Sequence, residues 1–281
     1  MGSEPRSRQA RQRAEDALVR FALLAGDRSA DFVVIGGFNP DFLATLAPVP
    51  HQGTTDIDLL FALGFDNVAA TPDYSWIDEA LAAGGFSSAN MWRWDAMLGG
   101  ARVRLEFLCD VWDHTDDTVP LPGSRSAVAS KLAGPAAALH DPIVRELRVS
   151  DVVRAAVPDA PEAVSIRFAN LGGYLLAKTA AALERRLEKD KYDLMYVALY
   201  NACGPREAAR AVASQLIATE GWSDPNDIRS AMDNYRDPQG AWAGTFAEAM
   251  TATGDEAPEE QLRTDASEGA RSFLEELDAQ Q

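Results

Sequence analysis

Between Thr54 and Phe61 the chain runs TTDIDLLF, an alternation of polar and apolar residues that commits the stretch to a strand with one buried side. Successive side chains on a strand point to opposite faces. Asp56 and Asp58 therefore project together, while Ile57, Leu59 and Phe61 face a core. Upstream, FVVIGG reads as a buried strand that breaks at Gly36-Gly37. Two carboxylates on one strand face can clamp a divalent cation, and hard cations such as Mg²⁺ complete their shell with waters and substrate phosphates. An ordinary solvated strand face is the alternative, since DxD triplets occur on many such strands.

The surrounding pattern places this strand in an α/β region. Arg8 to Leu24 carries apolar residues at three- and four-residue spacing (Ala14, Leu18, Phe21, Leu24) and is predicted helical. Asn39-Pro40 opens a helix to about Leu46, Pro being well placed in a first turn. The loop PVPHQG follows. A short helix is predicted over Trp76 to Ala83, ended by Gly84-Gly85, and then an antiparallel pair, Ser87 to Trp94 with Ala101 to Cys109, joined across Leu98-Gly99-Gly100. Past about Ser124 the pattern turns helical, apart from a Pro-punctuated joint near Pro158 to Val164, and Phe168 to Ala198 reads as one long helical run. The expected organisation is residues 1–123 as an N-terminal helix plus an α/β domain, 124–253 as a helical domain completing an active-site cleft, and 254–281 as an acidic tail. The fold class is α/β (α+β), with a mixed twisted sheet followed by an all-helical C-terminal domain.

Charge limits the partners. The formal net charge is −17 over 281 residues, which opposes a general affinity for nucleic acid because phosphate backbones are held by Lys and Arg. The imbalance is uneven, with nine acidic and two basic residues from Gly254 onward. At the other end Arg6, Arg8, Arg11, Arg13 and Arg20 face three acids; solvated helix faces or loose ends explain both termini without any partner. Cys109 and Cys203 lack CxxC spacing and fit a reducing compartment. No apolar signal region or membrane-length apolar run is present, so a cytoplasmic protein is expected.

Further residues group around the paired acids. Exposed N–H groups at Gly36-Gly37, with the following helix N-terminus, favour anions; a plain strand-to-helix turn is the alternative. In RVRLEFL, Arg102, Arg104 and Glu106 share a strand face opposite Val103, Leu105 and Phe107. Beside the Asp56 strand, Glu106 would supply a third carboxylate and Arg104 a phosphate contact. Three carboxylates around two cations suit in-line displacement at an α-phosphate. In KTAAALERRLEKDKYDL, Lys178, Arg185, Lys189 and Asp193 fall on one helical stripe at about 100° per residue. A stripe of this kind is also what the solvent face of an amphipathic helix looks like, with Glu184, Glu188 and Asp190 as local partners.

The order GG, TxDID, RxEF, KxxAxxxRxxxKDxxDL resembles the AbiEii/AbiGii-type nucleotidyltransferases, toxin components of abortive-infection and toxin–antitoxin systems within the polymerase-β-like superfamily. Gly36, Gly37, Thr54, Asp56 and Asp58 match the first motif. Arg104, Glu106 and Phe107 match a second, more usually written with Lys and Asp, and Lys178, Ala181, Arg185, Lys189, Asp190, Asp193 and Leu194 match a third. The resemblance spans about Phe32 to Val197. It implies Mg²⁺ on Asp56 and Asp58, and an NTP triphosphate held by Gly36, Gly37, Thr54 and Lys178. Asp193 would be catalytic or nucleotide-positioning, with Arg185 and Lys189 as further phosphate or acceptor contacts. The acceptor can be tRNA in relatives, and a cognate antitoxin protein is the partner such toxins keep. The family often has Arg four residues before the first Asp, where this chain has Gln52.

Other residues carry less. Trp92 and Trp94 share a predicted strand face and suit either base stacking or packing. His51, His114 and His140 lack zinc-ligand spacing, and no GxSxG context marks a hydrolase. Two rival readings stay open: an antibiotic-modifying nucleotidyltransferase acting on a cationic small molecule, and a catalytically silent nucleotide- or partner-binding protein of the same fold.

Overall fold

The computed structural model describes residues 7–63, 72–98, 100–111, 116–185 and 187–280. Arg6, Gly99 and His114 lie outside them. The chain forms two compact units: residues 1–38, 53–133 and 142–168 in one, and residues 39–52, 134–141 and 169–281 in the other.

The first unit is built on an eight-stranded mixed sheet. Its elements are α1 (Arg8–Ala25) and β1 (Phe32–Ile35); in the chain the short α2 (Pro40–Leu43), which belongs to the other unit, comes next. Then follow β2 (Asp56–Phe61), α3 (Trp76–Ala83), β3 (Arg93–Leu98), β4 (Ala101–Cys109), β5 (Thr118–Pro120), β6 (Val128–Lys131), β7 (Ile143–Arg148), α4 (Asp151–Ala156) and β8 (Ala163–Phe168). The strand order is β5-β6-β4-β2-β1-β8-β7. β2 runs antiparallel to β1 and parallel to β4. On β4's other edge, β3 pairs along Ala101–Glu106 and β6 along Leu108–Cys109, so two strands share one edge.

The sequence dictates which face is covered. Phe32, Val34, Ile57, Leu59, Val103, Leu105 and Phe107 fall on one side by period-two alternation, and all are buried. Phe21 of α1 packs into this side, its ring centroid 5.9 Å from Phe32, 5.9 Å from Trp76, 6.1 Å from Phe86 and 6.0 Å from Phe107. Such tilted and edge-on contacts satisfy the ring quadrupoles while burying large apolar area. Trp94 joins this buried side, whereas Trp92 precedes β3 and lies under the Arg93 guanidinium, 4.4 Å from its ring centroid; the shared strand face predicted for the two tryptophans does not form.

The second unit is helical: α2, then α5 (Leu171–Glu184), α6 (Glu188–Tyr200), α7 (Gly204–Ala218), α8 (Pro225–Asp233), α9 (Ala241–Ala252) and α10 (Glu259–Ala279). Its helix starts follow local chemistry. Asn170 Oδ1 accepts from the Gly173 N–H at 2.7 Å, Asp224 Oδ1 accepts from the Asn226 N–H at 2.8 Å, and Pro stands in the first turns of α2, α7 and α8. The acidic C-terminal stretch folds as α10, burying Leu262, Ala266, Ala270, Phe273 and Leu277 at helical spacing with its carboxylates on the other side.

Three expectations need correction. Past Ser124 the chain contributes three further strands, β6 to β8, and lasting helix begins only at Leu171. The helix opened by Pro40 ends at Leu43. The long run to Ala198 is two helices: α5 stops at Glu184, and α6 restarts at Glu188 with Leu187 in extended backbone.

Candidate functional site

The polar face of the sheet carries two charged rows. Backbone register sets Asp58 of β2 beside Glu106 of β4, and Glu106 beside Arg93 of β3. The next row runs Asp56, Arg104, Asp95. The rows exist because all three strands alternate in phase, which puts their apolar residues under the helices and their charges opposite. Side-chain contacts follow the rows. Arg93 Nε donates to Glu106 Oε1 at 2.8 Å, Arg104 Nε donates to Asp95 Oδ1 at 3.1 Å, and Arg104 Nη1 lies 3.6 Å from Asp56 Oδ1. Arg102 also pairs with Asp95.

These surroundings shift the acids in opposite directions. Burial pushes the Glu106 carboxyl above the ordinary range and the charge of Asp56 adds to this, against the pull of Arg93 and Arg104. Burial also pushes Asp95 up, but the hydrogen bonds and charges of Arg102 and Arg104 outweigh it and hold Asp95 below the ordinary range.

The glycine turn fits tightly against the acids. Gly36 adopts φ 76°, and a Cβ there would overlap the Asp58 carboxylate. At Gly37 a Cβ would come 2.7 Å from Thr54 Cβ and 2.8 Å from Thr54 Oγ1. The backbone at the end of β1 thus touches the two side chains that flank Asp56. Thr54 is itself fixed, its hydroxyl donating to the Asp56 carbonyl at 2.8 Å and accepting from the Asp56 N–H at 3.2 Å. Gly36, Gly37, Thr54, Asp56, Asp58, Arg104 and Glu106 therefore come together in the sheet unit, as the sequence pattern anticipates.

Among the described residues, no three His, Cys, Asp or Glu side chains are arranged to hold a metal ion. Glu106 shares the face of Asp56 and Asp58, and its Oε1 accepts from Arg93. Asp56 and Asp58 alternate on one strand beside a turn too close for any Cβ, with Arg104 next to Asp56, and paired carboxylates of this kind suit a hard cation whose other ligands are oxygens.

The predicted helical residues form a separate group in the helical unit. Lys178 Nζ donates to Asp190 Oδ1 at 3.0 Å and to Asp193 Oδ2 at 2.7 Å, with both carboxylates fully buried. Burial works against the Lys178 charge, yet the charges and hydrogen bonds of Asp193 and Asp190 outweigh it and raise its pKa above the ordinary lysine value. Arg185 Nη2 lies 3.3 Å from Asp190 Oδ2. Lys189 is exposed in the first turn of α6. The continuous stripe of the sequence reading is thus replaced by a contact between two helices, which joins Lys178 to Asp193 across the break after Arg185. Gln52 Nε2 donates to the Ala249 carbonyl at 3.4 Å within this unit.

Two participants escape the sequence pattern. His51 is fully buried, with Nε2 2.9 Å from Asp193 Oδ1 and its ring 5.3 Å from that of Tyr192 in a stacked arrangement. A lone histidine in a Pro-containing loop carries no local sign of such a partner. Arg93, by contrast, was detectable: a hairpin closing Leu98 on Ala101 across Gly99-Gly100 dictates that Arg93 faces Glu106.

Among the described residues, no helix is long and apolar enough to cross a membrane. No family model matches the chain, and neither does any curated protein or solved structure.

Proposed function

We propose that the chain is a Mg²⁺-dependent nucleotidyltransferase that moves NMP from an NTP to an acceptor hydroxyl and releases pyrophosphate. The observation that carries this reading is the close fit of Gly36-Gly37 against Asp58 and Thr54, which sets a tight backbone turn, half-buried at Gly36 and buried at Gly37, beside a paired carboxylate strand. A triphosphate suits a turn without side chains on one side and a cation on the other.

In this reading Asp56 and Asp58 hold the cation, which when bound neutralises phosphate charge at the reacting centre. Gly36, Gly37 and Thr54 orient the triphosphate. The acceptor oxygen attacks the α-phosphorus, the bond to the bridging oxygen of the β-phosphate breaks, and pyrophosphate leaves with that electron pair. The acceptor's proton passes to a carboxylate of the same strand face. Arg104, next to Asp56, meets phosphate oxygens. In the helical unit, Lys178, Asp190, Asp193 and His51 form an internal brace that fixes α5 against α6.

Acceptor chemistry divides the reading. The resemblance favours tRNA and a toxin-like role with a cognate antitoxin, whereas the net charge of −17 favours a small cationic acceptor. Incubation with labelled NTPs, Mg²⁺ and either total tRNA or aminoglycosides separates the two by which acceptor gains label. Label that persists undiminished in Asp58→Asn sinks the nucleotidyltransferase reading. Absence of any label, together with a stable complex of the chain and a partner protein, indicates the silent binding protein instead.

A further inference from the structure

Arg11 of α1 stands beside the loops that carry the proposed triphosphate contacts. Gly53, the residue before Thr54, adopts φ 81°, and a Cβ there would come 3.2 Å from Arg11 Cβ and 3.1 Å from the Ser7 carbonyl oxygen. The Arg11 guanidinium carbon lies 5.3 Å from the ring centroid of Phe38, the residue after Gly37. One arginine thus touches the outer neighbours of both Gly37 and Thr54, the two residues that touch each other. The first turn of α1 contains no acidic residue, although the chain as a whole is strongly acidic. Nη1 of Arg11 donates to Glu15 Oε2 at 2.6 Å, and the two side chains are only 13% and 19% exposed. The guanidinium is therefore held, largely buried, on a partner one helical turn along.

We propose that Arg11 is a phosphate-binding residue, exchanging Glu15 for the terminal phosphates of a nucleotide held at Gly36-Gly37 and Thr54; this assignment rests on the nucleotidyltransferase reading. Arginine suits the task, because its planar fork meets two phosphate oxygens at once and stays charged at any physiological pH. An aromatic face beneath it, here Phe38, restrains the guanidinium without consuming its hydrogen-bond donors.

Calorimetry with Mg²⁺ and inorganic tripolyphosphate, with the four NTPs, and with the four NMPs tests the assignment on the full chain. Arg11→Met should weaken tripolyphosphate and NTP binding by about tenfold or more while changing NMP binding by less than about twofold, and Arg11→Lys should recover part of the loss. Glu15→Gln, which keeps Arg11 and removes its competitor, should tighten NTP binding by about threefold. It also decides the matter if Arg11→Met fails to fold. Wild-type NTP affinity in Arg11→Met, an equal loss for NMP, or an unchanged affinity in Glu15→Gln overturns the role of Arg11 while leaving the nucleotidyltransferase reading standing. A wild-type chain that binds neither tripolyphosphate nor any nucleotide overturns both.

Discussion

His51 Nε2 lies 2.9 Å from Asp193 Oδ1 with neither side chain exposed, and the same carboxylate receives Lys178 through its other oxygen at 2.7 Å. Asp193 is thus shared by two donors from separate parts of the helical unit. With Asp190 and the partly exposed Arg185 included, two lysine or arginine charges face two buried carboxylates, and such pairing is what lets carboxylates stay ionised out of water.

Removing one member should therefore unfold rather than merely inactivate. Lys178→Met leaves two buried carboxylates without their main cation, and a loss of about 3–5 kcal/mol is expected in urea unfolding. Because the Lys178 pKa is raised on folding, its contribution is complete below the unfolded value of about 10.4 and fades only as pH rises through the still higher folded value. The loss should accordingly be the same at pH 6 and pH 8. A Lys178→Met protein as stable as wild type would show that the brace contributes nothing.

Gly36→Ala and Gly85→Ala form a matched pair. Both glycines have positive φ, 76° and 67°, but only at Gly36 would a methyl meet another group, the Asp58 carboxylate. Gly85→Ala should cost about 1–2 kcal/mol from backbone alone, and Gly36→Ala an additional 1–3 kcal/mol or so for displacing Asp58. Equal midpoints in thermal unfolding would contradict the close approach.

Cys109 and Cys203 should separate by reactivity. Burial pushes the Cys109 thiol up to about 12, with the charge of Asp110 adding to it against Lys131, whereas Cys203 is exposed. Iodoacetamide at pH 8 should modify Cys203 in the native protein and both thiols after unfolding, since the thiolate is the nucleophile. Mass spectrometry finding early modification of Cys109 would refute the packing around it.

Asp78, in the first turn of α3, accepts from Ser124 Oγ at 2.7 Å, from the Arg125 N–H at 2.8 Å and from the Ser126 N–H at 3.1 Å, as well as from the Ser126 hydroxyl. Burial pushes its carboxyl up, but these donors outweigh burial and hold it below the ordinary range. A depressed carboxyl stabilises above its unfolded value near 3.9 and loses that contribution as pH falls through the folded value. Asp78→Ala should cost about 1–3 kcal/mol at pH 7 and noticeably less at pH 3 in the same unfolding assay. A pH-independent difference would count against the loop clamp.

Where the sequence signal was periodic, it was sufficient. The alternation in TTDIDLLF and RVRLEFL places Asp56, Asp58, Arg104 and Glu106 on one face, because a strand has no other way to bury Ile57, Leu59, Leu105 and Phe107. Short strands carry a weaker signal: β6 has four residues, and in β7 Ile143 and Val144 are exposed while Leu147 is buried, so neither shows a clean period. The end of α5 at Glu184 carries no local signal either, since Glu, Arg and Leu all favour helix. The contact of Arg93 with Glu106 was legible, by contrast, because a hairpin that pairs Leu98 with Ala101 also sets Arg93 beside Glu106.

The interleaving of the two units has a consequence for synthesis. β8, which lies between β1 and β7, ends at Phe168, so the sheet cannot close until the ribosome has passed that residue. The segment 39–52 must wait longer still, because Asp193 follows His51 by 142 residues. Contacts this distant in sequence form late and slowly. A nascent chain therefore presents its two acidic strand positions well before His51 has anything to hold.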